Sequence, residues 1–509
     1  MSGWPQRAGF VGAGTMGRGI AQLLASRGID TLLYDSNPAA SRAALTAISD
    51  ILNRAASNGR ATREEVASAL ARLGSADALA ALSRCDVVVE SIVEDLAAKR
   101  AVMSSLEEVV GDTCVLTTNT SSLSVAAIAA SCRLPHRVAG LHFFNPAPVM
   151  KVVEVVPGGR TESGVIDALV GFVERLGHRP VRVQDTPGFL VNHAGRGYGT
   201  EALRILAEGV ASPSDIDAVM RDVAGFRMGP FELLDLTGLD VSHPVMEAIY
   251  HQFYEEPRFR PSTETARRLA AGLLGRKSSE GFYSYRDGAK VERTDAPPPP
   301  DRPALAWISP AVADARARVV AFLRALPAPP VIEETSRPHP DALCIVTPMG
   351  DDATTAAVSQ ELDASRVVAV DTFTNWVRRP TLMTTPATLD TIRRSAHGLF
   401  ASGGAPVTVI RDSPGFVAQR IVSMVINVSC EIAQQQIAQP RDIDDAVTLG
   451  LGYPLGPLAW GDELSPAAVL RILERLQVVT GDMRYRPSTW LRRRAQLGMS
   501  LRAPEWSGA

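Results

Sequence analysis

A histidine and a glutamate separated by one predicted turn are the residues of this chain with the clearest chemical potential. His142 follows the apolar run 138–141, which predicts a buried strand, so the histidine is expected where that strand gives way to a loop. Glu154 lies inside the valine-rich run 152–156, where a carboxylate is costly to bury without a partner. An imidazole across the turn would be such a partner, and the pair would suit His142 to act as a general base. The alternative is a structural histidine beside a glutamate that faces water on an edge strand.

A glycine-rich turn near the amino terminus is the second feature with chemical potential. The apolar strand 8–11 runs directly into Gly12-Ala-Gly14-Thr-Met-Gly17, and a helical pattern follows. In a dinucleotide fold, the first glycine makes the tight turn, the second admits a pyrophosphate, and the third lets helix and strand pack closely. The next predicted strand ends in Asp35, which could bind a ribose and repel a 2′-phosphate, so NAD is favoured over NADP. The residues predicted to bind it here are Gly12, Gly14, Thr15, Met16, Gly17 and Asp35.

Charged residues follow the next predicted strand, 85–90, close to the start of a helix over 96–109. Glu94 and Lys99 could face the nicotinamide end of the cofactor from that position. The alternative is an ordinary salt bridge at a helix start, which contributes little.

A polar cluster, Asn119-Thr-Ser121-Ser122, follows the predicted strand 114–118. The carboxyl ends of strands are where doubly wound sheets bind ligands, so Ser121 could donate to a substrate oxygen. The alternative is a capping role for the helix predicted over 123–130, with Ser122 as the cap. Further on, Asn192 is expected one turn into a long helix, where its amide could reach back to the sheet edge or simply face water.

The elements that would position these residues alternate between strands and helices, which predicts an α/β, Rossmann-type dinucleotide-binding domain followed by an all-α domain. A helical insertion is expected between 37 and 73. The net charge of −3 and the absence of basic blocks argue against nucleic-acid binding, and no apolar run is long enough to span a membrane. The five scattered cysteines predict reduced thiols in a cytoplasmic protein, and no metal site is predicted.

The carboxyl-terminal half is a degenerate second copy of the amino-terminal half. Asp185 recurs as Asp412, and the same offset of 227 residues relates the two Pro-x-Asp-Ile-Asp and the two Gly-Pro motifs. Asp371 stands where His142 does and Gln419 where Asn192 does, while no residue matches Glu154. No glycine fingerprint occurs over 331–349, so this copy should neither bind NAD nor catalyse. Its helices are expected to pack on the first helical domain as a second subunit would.

These patterns predict five consecutive segments. They are an NAD-binding domain (1–186), a helical domain (187–290), a proline-rich linker (291–328), a degenerate Rossmann-like segment (329–411) and a second helical domain (412–509).

The motifs GAGTMG, VESIVEDLAAKR, TNTSSL, GLHFFNPAPVMKVVEVV, DTPGFLVN and GPFELLDLTGLD, with the spacing between them, resemble those of the L-3-hydroxyacyl-CoA dehydrogenases from Phe10 to about Tyr285. The resemblance implies that His142 is the catalytic base, Glu154 its partner, and Ser121 and Asn192 the groups that hold the substrate oxygen. It also implies that Glu94, Lys99, Asn119, Ser121 and Asn145 surround the cofactor. The chain departs from the family pattern at His193, where arginine is usual, and at Ser279, where glycine is common.

The activity implied is NAD-dependent oxidation of a (3S)-3-hydroxyacyl-CoA to the 3-oxoacyl-CoA in a cytoplasmic enzyme, either a homodimer or a chain whose second copy mimics a dimer partner. The two-copy arrangement resembles enzymes of phenylacetate breakdown and so favours 3-hydroxyadipyl-CoA, with 3-hydroxybutyryl-CoA of fatty-acid metabolism as the competing substrate. Two more distant hypotheses are a non-catalytic binding protein on the same fold and a dehydrogenase of related architecture that acts on a sugar acid or a branched keto acid.

Overall fold

The computed structural model describes residues 5–291 and 297–505. The contacts between residues divide the chain into two compact units. The first unit runs to His193 and also includes 435–451; the second comprises 194–434 and the chain from 452 onward. The domain boundaries inferred from sequence patterns remain predictions.

The first unit is built on an eight-stranded sheet of order β3-β2-β1-β4-β5-β6-β7-β8. Neighbouring strands are parallel except β6 and β7, which are antiparallel and place His142 opposite Glu154. The strands are β1 (Arg7–Val11), β2 (Asp30–Tyr34), β3 (Leu73–Ala76), β4 (Val87–Glu90), β5 (Val115–Thr118), β6 (Val138–Phe143), β7 (Val152–Pro157) and β8 (Arg179–Arg182).

Helices cover this sheet because each has one apolar face. Ile20, Leu23 and Leu24 of the first helix are buried against the sheet, and a capping box between Thr62 and Glu65 begins the third. From the amino terminus, these helices are α1 (Thr15–Ser26), α2 (Pro38–Ser57), α3 (Arg63–Ala71), α4 (Leu96–Val109), α5 (Val125–Ala129) and α6 (Ser163–Arg175), and the short helix α7 (Val191–Ala194) follows the last strand. The expected helical insertion between 37 and 73 is therefore α2 and α3.

Three local expectations are corrected by the structure. His142 is inside strand β6, one residue before its end, because backbone pairing with β7 continues through Phe143. The cap of α5 is Ser124, whose hydroxyl accepts from the Ala127 N–H, and Ser122 does not cap it. Asn192 is the second residue of the short helix α7 and does not lie one turn into a long helix.

Helices dominate the first part of the second unit. Two of them begin with proline, Pro213 and Pro230, at a position where the missing N–H costs nothing. The helices are α8 (Arg196–Ala207), α9 (Pro213–Asp222), α10 (Pro230–Thr237), α11 (Leu239–Gln252) and α12 (Thr263–Ala270), followed by a hairpin of β9 (Tyr285–Arg286) and β10 (Ala289–Lys290).

A second, six-stranded sheet of order β12-β11-β13-β14-β15-β16 follows. It repeats the mixed edge of the first sheet, since β14 and β15 are antiparallel whereas β15 and β16 are parallel. Its strands and helices are β11 (Leu305–Ile308), α13 (Ala313–Arg324), β12 (Val331–Glu333), β13 (Leu343–Val346), α14 (Ala353–Ser359), β14 (Val367–Val370), β15 (Thr381–Thr384), α15 (Asp390–Ala401) and β16 (Thr408–Ile410).

Strand β11 and helix α13 lie within the stretch 291–328, for which the sequence predicts a linker. The prolines concentrate before Ala304, whereas the strand and the helix after it supply buried apolar residues such as Ile308, Val319 and Leu323. The ordered second sheet therefore starts earlier than the proline content indicates. Residues 292–296, at the start of the expected linker, lie outside the described residues.

The chain ends in a second helical set: α16 (Ala418–Gln434), α17 (Pro440–Leu451), α18 (Pro457–Glu463), α19 (Pro466–Thr480) and α20 (Thr489–Leu497). Helix α17 belongs to the first unit, and the others belong to the second. Within the second unit, α8 packs along α16, and a Cβ on Gly197 would lie 3.0 Å from the Val425 backbone. This close approach explains why a glycine is needed at Gly197.

A buried ionic cluster joins the same two helices. The Arg420 guanidinium of α16 donates to Glu201 of α8 at 2.8 Å and to the Tyr485 hydroxyl at 2.8 Å, and all three side chains are fully buried. Arg420 stands at the repeat position of His193, and Val428 stands at that of Glu201, each 227 residues away. The first copy thus has His193 in place of the arginine, and the second copy has Val428 in place of the glutamate with which that arginine would pair.

Among the described residues, no helix is long and apolar enough to cross a membrane. No cluster of three or more histidine, cysteine or acidic side chains within the described part of the chain could hold a metal ion.

Candidate active site

The histidine and the glutamate of the first sheet form a short, buried contact. His142 Nδ1 lies 2.6 Å from Glu154 Oε2, and the two side chains are 7% and 0% exposed. The rings of Phe144 and Phe189 flank the imidazole, with centroids 4.4 and 5.8 Å from its own. Because Nδ1 is engaged by the carboxylate, Nε2 is the ring nitrogen left to exchange a proton with a ligand.

The second oxygen of Glu154 is held by backbone groups. Glu154 Oε1 accepts from the Leu190 N–H at 2.9 Å and the Val191 N–H at 2.8 Å. The turn before these residues uses positive φ at Gly188 (72°) and Phe189 (48°), which aims both N–H groups at the carboxylate. The same turn places Asn192 directly after the second donor, so a single acidic side chain ties the histidine to the helix that carries the asparagine.

The glycine turn has the geometry of a phosphate cradle. A Cβ on Gly12 would lie 2.4 Å from the Ser91 carbonyl oxygen and one on Gly17 would lie 1.9 Å from the Gly12 carbonyl oxygen, so the protein itself requires both glycines. Gly14 differs, because a Cβ there would meet no protein atom within 4 Å. Its bare side adjoins the amino terminus of α1, which no side chain caps. Open space beside uncapped N–H groups fits an anionic pyrophosphate.

Asp35 is fixed beside this cradle. Its Oδ2 accepts from the Ala13 N–H at 2.8 Å and its Oδ1 from the Asn37 N–H at 2.9 Å. The carboxylate at the end of β2 thus stabilises the glycine turn, and its negative charge lies where the ribose of a bound dinucleotide would be recognised.

Glu94 organises the polar loop after β5. Its Oε1 accepts from the Thr120 and Ser122 hydroxyls and from the N–H groups of Ser121 and Ser122, at 2.6 to 3.0 Å. Burial acts to raise the pKa of Glu94, but these hydrogen bonds and the nearby Lys99 outweigh it and hold the pKa below its ordinary value. Glu94 is therefore an ionised anchor for the loop that presents Ser121.

Lys99 reaches Glu94 at 3.3 Å and also pairs with Glu90 at 2.7 Å, while its side chain is only 1% exposed. Glu90, at the end of β4, accepts as well from the Thr118 hydroxyl at 2.6 Å. This is a buried network rather than the exposed salt bridge considered from the sequence. Removing one partner of such a network leaves a buried charge uncompensated. Lys99 is therefore buried between Glu90 and Glu94 and is not at the surface.

The two asparagines and the serine lie at the carboxyl ends of adjacent strands. Asn119 Oδ1 accepts from the Phe143 N–H at 2.8 Å, which ties the loop after β5 to the end of β6 beside His142. Asn145 is exposed and precedes a cis peptide bond to Pro146. Among the described residues, no protein group accepts from the half-buried Ser121 hydroxyl, which leaves it available to a ligand.

Three supporting residues were missed by the sequence-based reasoning. Glu90 was visible as a carboxylate ending the apolar run 87–89. Asp185 anchors the start of α5 by accepting from the N–H groups of Val125 and Ala126 at 2.9 and 2.8 Å. His178 is buried, and its Nε2 lies 3.0 Å from the Ala147 carbonyl in the loop after His142. The contacts of Asp185 and His178 join distant parts of the chain and left no local sequence signal.

The second copy keeps the strand arrangement but has other side chains at the four positions predicted to be catalytic. Asp371 donates its N–H to the Thr381 carbonyl at 3.1 Å, as its strand neighbours pair, so Thr381 stands where Glu154 does in the first copy. Met349 precedes the cap Asp352 by three residues, as Ser121 precedes Ser124. Serine, histidine, glutamate and asparagine have thus become methionine, aspartate, threonine and glutamine (Gln419).

Comparison with known proteins gives a consistent result. The chain matches the family model described as 3-hydroxyacyl-CoA dehydrogenase, NAD binding domain, over residues 7–186. It matches the one described as 3-hydroxyacyl-CoA dehydrogenase, C-terminal domain, over 188–285 and again over 415–504. The second of these is therefore matched once in each copy of the repeat.

Individual relatives extend this result to the whole chain. A 3-hydroxyadipyl-CoA dehydrogenase of Escherichia coli (strain K12) is 39% identical over 97% of this chain and 98% of its own length. A crystal structure of 3-hydroxybutyryl-CoA dehydrogenase from Escherichia coli K12 matches with a TM-score of 0.84 at 39% identity, covering 97% of this chain and 98% of that one. The probable 3-hydroxybutyryl-CoA dehydrogenase of Bacillus subtilis is 38% identical over 54% of this chain and 96% of its own length.

Proposed function

Because this chain belongs to the 3-hydroxyacyl-CoA dehydrogenase family and is an NAD-dependent oxidoreductase of 3-hydroxyacyl-CoA thioesters, we propose that Ser121, His142, Glu154 and Asn192 form its catalytic group. The observation that carries this proposal is the buried 2.6 Å contact between His142 and Glu154 at the carboxyl edge of the first sheet. In this role His142 Nε2 takes the proton of the C3 hydroxyl, and Glu154 stabilises the imidazolium.

Ser121 and Asn192 complete the group as donors to the substrate oxygen. The Ser121 hydroxyl has no protein acceptor among the described residues, and Asn192 follows the turn that holds Glu154. Donors placed at the developing carbonyl fix C3 relative to the base, and positioning of this kind supplies a large part of an enzymatic rate enhancement. A carboxylate holds the backbone at or beside each residue: Glu94 accepts from the Ser121 N–H, and Glu154 accepts from the N–H of Val191, which precedes Asn192 in α7.

NAD accepts the hydride from C3 when it is bound. The residues proposed to hold it are Gly12, Gly14, Thr15, Met16, Gly17, Asp35, Glu94, Lys99, Asn119, Ser121 and Asn145. The open side of Gly14 and the uncapped start of α1 support the pyrophosphate end of this proposal. For Lys99, whose ammonium pairs with Glu90, and for Asn119, whose Oδ1 accepts from the Phe143 N–H, the support is for a positioning role.

For the acyl chain we propose 3-hydroxyadipyl-CoA, which carries a second carboxylate. The support is the Escherichia coli 3-hydroxyadipyl-CoA dehydrogenase, to which this chain is similar over 97% of its length, including the second copy. The second candidate is 3-hydroxybutyryl-CoA, supported by the crystal structure of that name, which covers an equal share of the chain.

A third part of the proposal concerns the second copy, which we infer takes the place of a second subunit. Helices α8 and α16 pack along each other. In addition, the Gln184 N–H donates to the Ile437 carbonyl at 2.9 Å, and the Arg411 N–H donates to the Val210 carbonyl at 3.0 Å. Arg411 is the repeat counterpart of Gln184, and Ile437 is that of Val210, so the two bonds are equivalent with the copies exchanged. Exchange of this kind is the signature of an isologous contact. An active, monomeric fragment ending at Val291 and as stable as the full chain would contradict it.

A substrate panel tests the assignment of the acyl chain. Purified 3-hydroxyadipyl-, 3-hydroxybutyryl- and longer monocarboxylic 3-hydroxyacyl-CoA thioesters are oxidised under identical conditions, and NADH formation is followed by absorbance. We expect the highest kcat/KM with the dicarboxylic thioester. A higher value with 3-hydroxybutyryl-CoA would transfer the assignment to the second candidate. Reduction of acetoacetate as fast as acetoacetyl-CoA would contradict a role for the CoA carrier.

A further inference from the structure

We propose that helix α17, which belongs by sequence to the degenerate second copy, is a positioning element for the catalytic pair of the first copy, and that Gly450 is its point of contact. The inference rests on the proposed catalytic role of His142 and Glu154. It assigns to residues 435–451 a part in the reaction that goes beyond filling the place of a second subunit.

The first observation is where this segment packs. Residues 435–451 separate from the rest of the second copy and form part of the compact first unit. Helix α17 packs against β7, the strand of Glu154, and against the edge strand β8. Its side chains Ile443 and Val447 are fully buried. The helix therefore adds a layer to the first sheet.

The second observation is how the segment is attached. Arg179, the first residue of β8, pairs with Asp442 at 2.6 Å and with Asp445 at 3.0 Å, both on α17. Just beyond the strand, Gln184 donates its N–H to the Ile437 carbonyl at 2.9 Å. Paired hydrogen-bonded contacts to one arginine give a defined geometry as well as attraction. Helix α17 is thus held in one register on the sheet.

The third observation is the contact near the catalytic pair. A Cβ built on Gly450 would lie 3.1 Å from Val152 Cγ1 and 3.3 Å from Val191 Cγ1, so the helix backbone lies against both valines. Val152 is two residues before Glu154 and shares its face of β7. The Val191 N–H donates to Glu154 Oε1 at 2.8 Å. Gly450 therefore lies against the strand that carries Glu154 and against one of the two residues whose N–H groups hold its carboxylate.

The physical consequence follows from the tight packing of protein interiors. Val152 and Val191 are 0% and 1% exposed, so neither can move away from an added side chain without shifting its own backbone. A shift at Val191 lengthens its hydrogen bond to Glu154, and the imidazole moves with the carboxylate. Displacements near 1 Å at a reacting group cost up to about a hundredfold in rate. Helix α17 thus helps to fix the position of Glu154 through the two valines.

The test compares Gly450→Val with a matched glycine. A Cβ on Gly171, inside helix α6 of the same unit, would meet no atom within 4 Å, so Gly171→Val is the control. We expect Gly450→Val to lower kcat between roughly tenfold and a hundredfold, with the KM for NADH and for the acyl-CoA within about twofold of wild type. Gly171→Val should retain wild-type kcat. Wild-type kcat in Gly450→Val, or an equal loss in the control, would overturn the inference.

A compensating variant distinguishes positioning from general damage. Val191→Ala removes two of the three methyl groups that a side chain at residue 450 would strike and leaves Val152 Cγ1 in place, so the double variant Gly450→Val with Val191→Ala should recover part of the kcat that Gly450→Val loses. Failure to recover activity would contradict the contact. If Gly450→Val does not fold, Gly450→Ala requires a shift of only a few tenths of an ångström and should still lower kcat about threefold; wild-type kcat in that variant would equally overturn the inference.

The same assay keeps the two proposals apart. His142→Gln is measured in parallel on the full chain. Full activity in His142→Gln contradicts the proposed catalytic group itself. An inactive His142→Gln together with a fully active Gly450→Val contradicts only the role of α17.

Discussion

Asp371 Oδ1 accepts a hydrogen bond from Gln419 Nε2 at 2.9 Å, so the second copy still joins the two positions that His142 and Asn192 occupy in the first. The second carboxylate oxygen, Asp371 Oδ2, is buried and has no partner among the described residues. Burial raises the pKa of Asp371 to about 6, against the opposing effect of the hydrogen bonds from Gln419 and from the Phe373 backbone. The repeat has kept a buried acid here without the groups that would make it reactive.

Asp371→Asn should therefore change stability in a pH-dependent way and leave catalysis unchanged. A carboxyl whose pKa is raised to about 6 in the folded state contributes most stability below the unfolded value of about 3.9 and loses it as pH rises through 6. The amide has no such loss, so the stability of the variant relative to wild type should increase by up to about 3 kcal/mol between pH 4 and pH 7. Urea titrations at several pH values measure this, and a pH-independent difference would contradict it. A fall in kcat would contradict the inactive role of the second copy.

His142→Gln should lower kcat by roughly two to four orders of magnitude, because a positioned general base contributes about that much. Glu154→Gln keeps an oxygen for the Leu190 and Val191 N–H groups and removes the charge beside His142 Nδ1. It should therefore lower kcat without unfolding the turn. Steady-state kinetics with thermal melting of each variant makes the measurement. An unchanged kcat in His142→Gln would refute its assignment as the base.

Gly14→Ala should impair cofactor binding without a loss of stability, whereas Gly17→Ala should destabilise the folded protein itself. The Gly14 Cβ meets no protein atom, so this variant should melt like wild type but show a higher KM for NADH, because the methyl group occupies the space left for the pyrophosphate. The Gly17 Cβ would lie 1.9 Å from the Gly12 carbonyl oxygen, so that variant should lose stability even without cofactor. Unchanged NADH affinity in Gly14→Ala would place the dinucleotide elsewhere.

Asp35→Asn should reduce the preference for NADH over NADPH. The amide keeps one oxygen for the Ala13 or Asn37 N–H and removes the charge that repels a 2′-phosphate. We expect the ratio of kcat/KM values to move toward NADPH by roughly tenfold, equivalent to about 1.4 kcal/mol. The effect should be larger on the cofactor KM than on kcat. A variant that loses kcat at unchanged KM would argue against a ribose contact.

Arg420→Met should destabilise the protein by roughly 3–5 kcal/mol, because it removes the cation that is hydrogen-bonded to the fully buried Glu201 and leaves only Arg484, 3.5 Å away, to balance the charge. The matched control is Arg182→Met. Arg182 pairs with Asp167 at the surface, where the two side chains are 56% and 61% exposed, and the expected cost there is below about 1 kcal/mol. Free energies of unfolding from urea titrations compare the two. Equal costs would show that the Arg420 cluster does not hold α8 against α16.

The local patterns that the sequence carries were sufficient for the main elements of the first copy. Helix α4 has the predicted bounds, and the strand, glycine turn and helix around Gly12 occur in the predicted order. Apolar periodicity and glycine turns are properties of neighbouring residues, and so they can be recognised without the fold. The sequence likewise contained the 227-residue repeat and the loss of the reactive residues from its second copy.

The capping and clamping contacts could not be predicted in the same way. Ser122 and Ser124 have equal capping propensity, and the choice of Ser124 depends on Glu94 engaging Ser122, twenty-eight residues away. The burial of Lys99 likewise depends on its pairing with Glu90, which the Thr118 hydroxyl of the neighbouring strand also contacts. Each of these outcomes is decided by a partner that is distant along the chain.

The sequence by itself determined which side chains are proposed to react, the glycine turn proposed to hold a dinucleotide, and the 227-residue repeat. The tertiary structure alone decided that Glu154 is shared between His142 and the Leu190–Val191 backbone, and that α17 lies against the strand that carries it. The reason is physical: residue types and short-range spacing are encoded locally, whereas the distance between two side chains is set by the packing of segments that are separated along the chain.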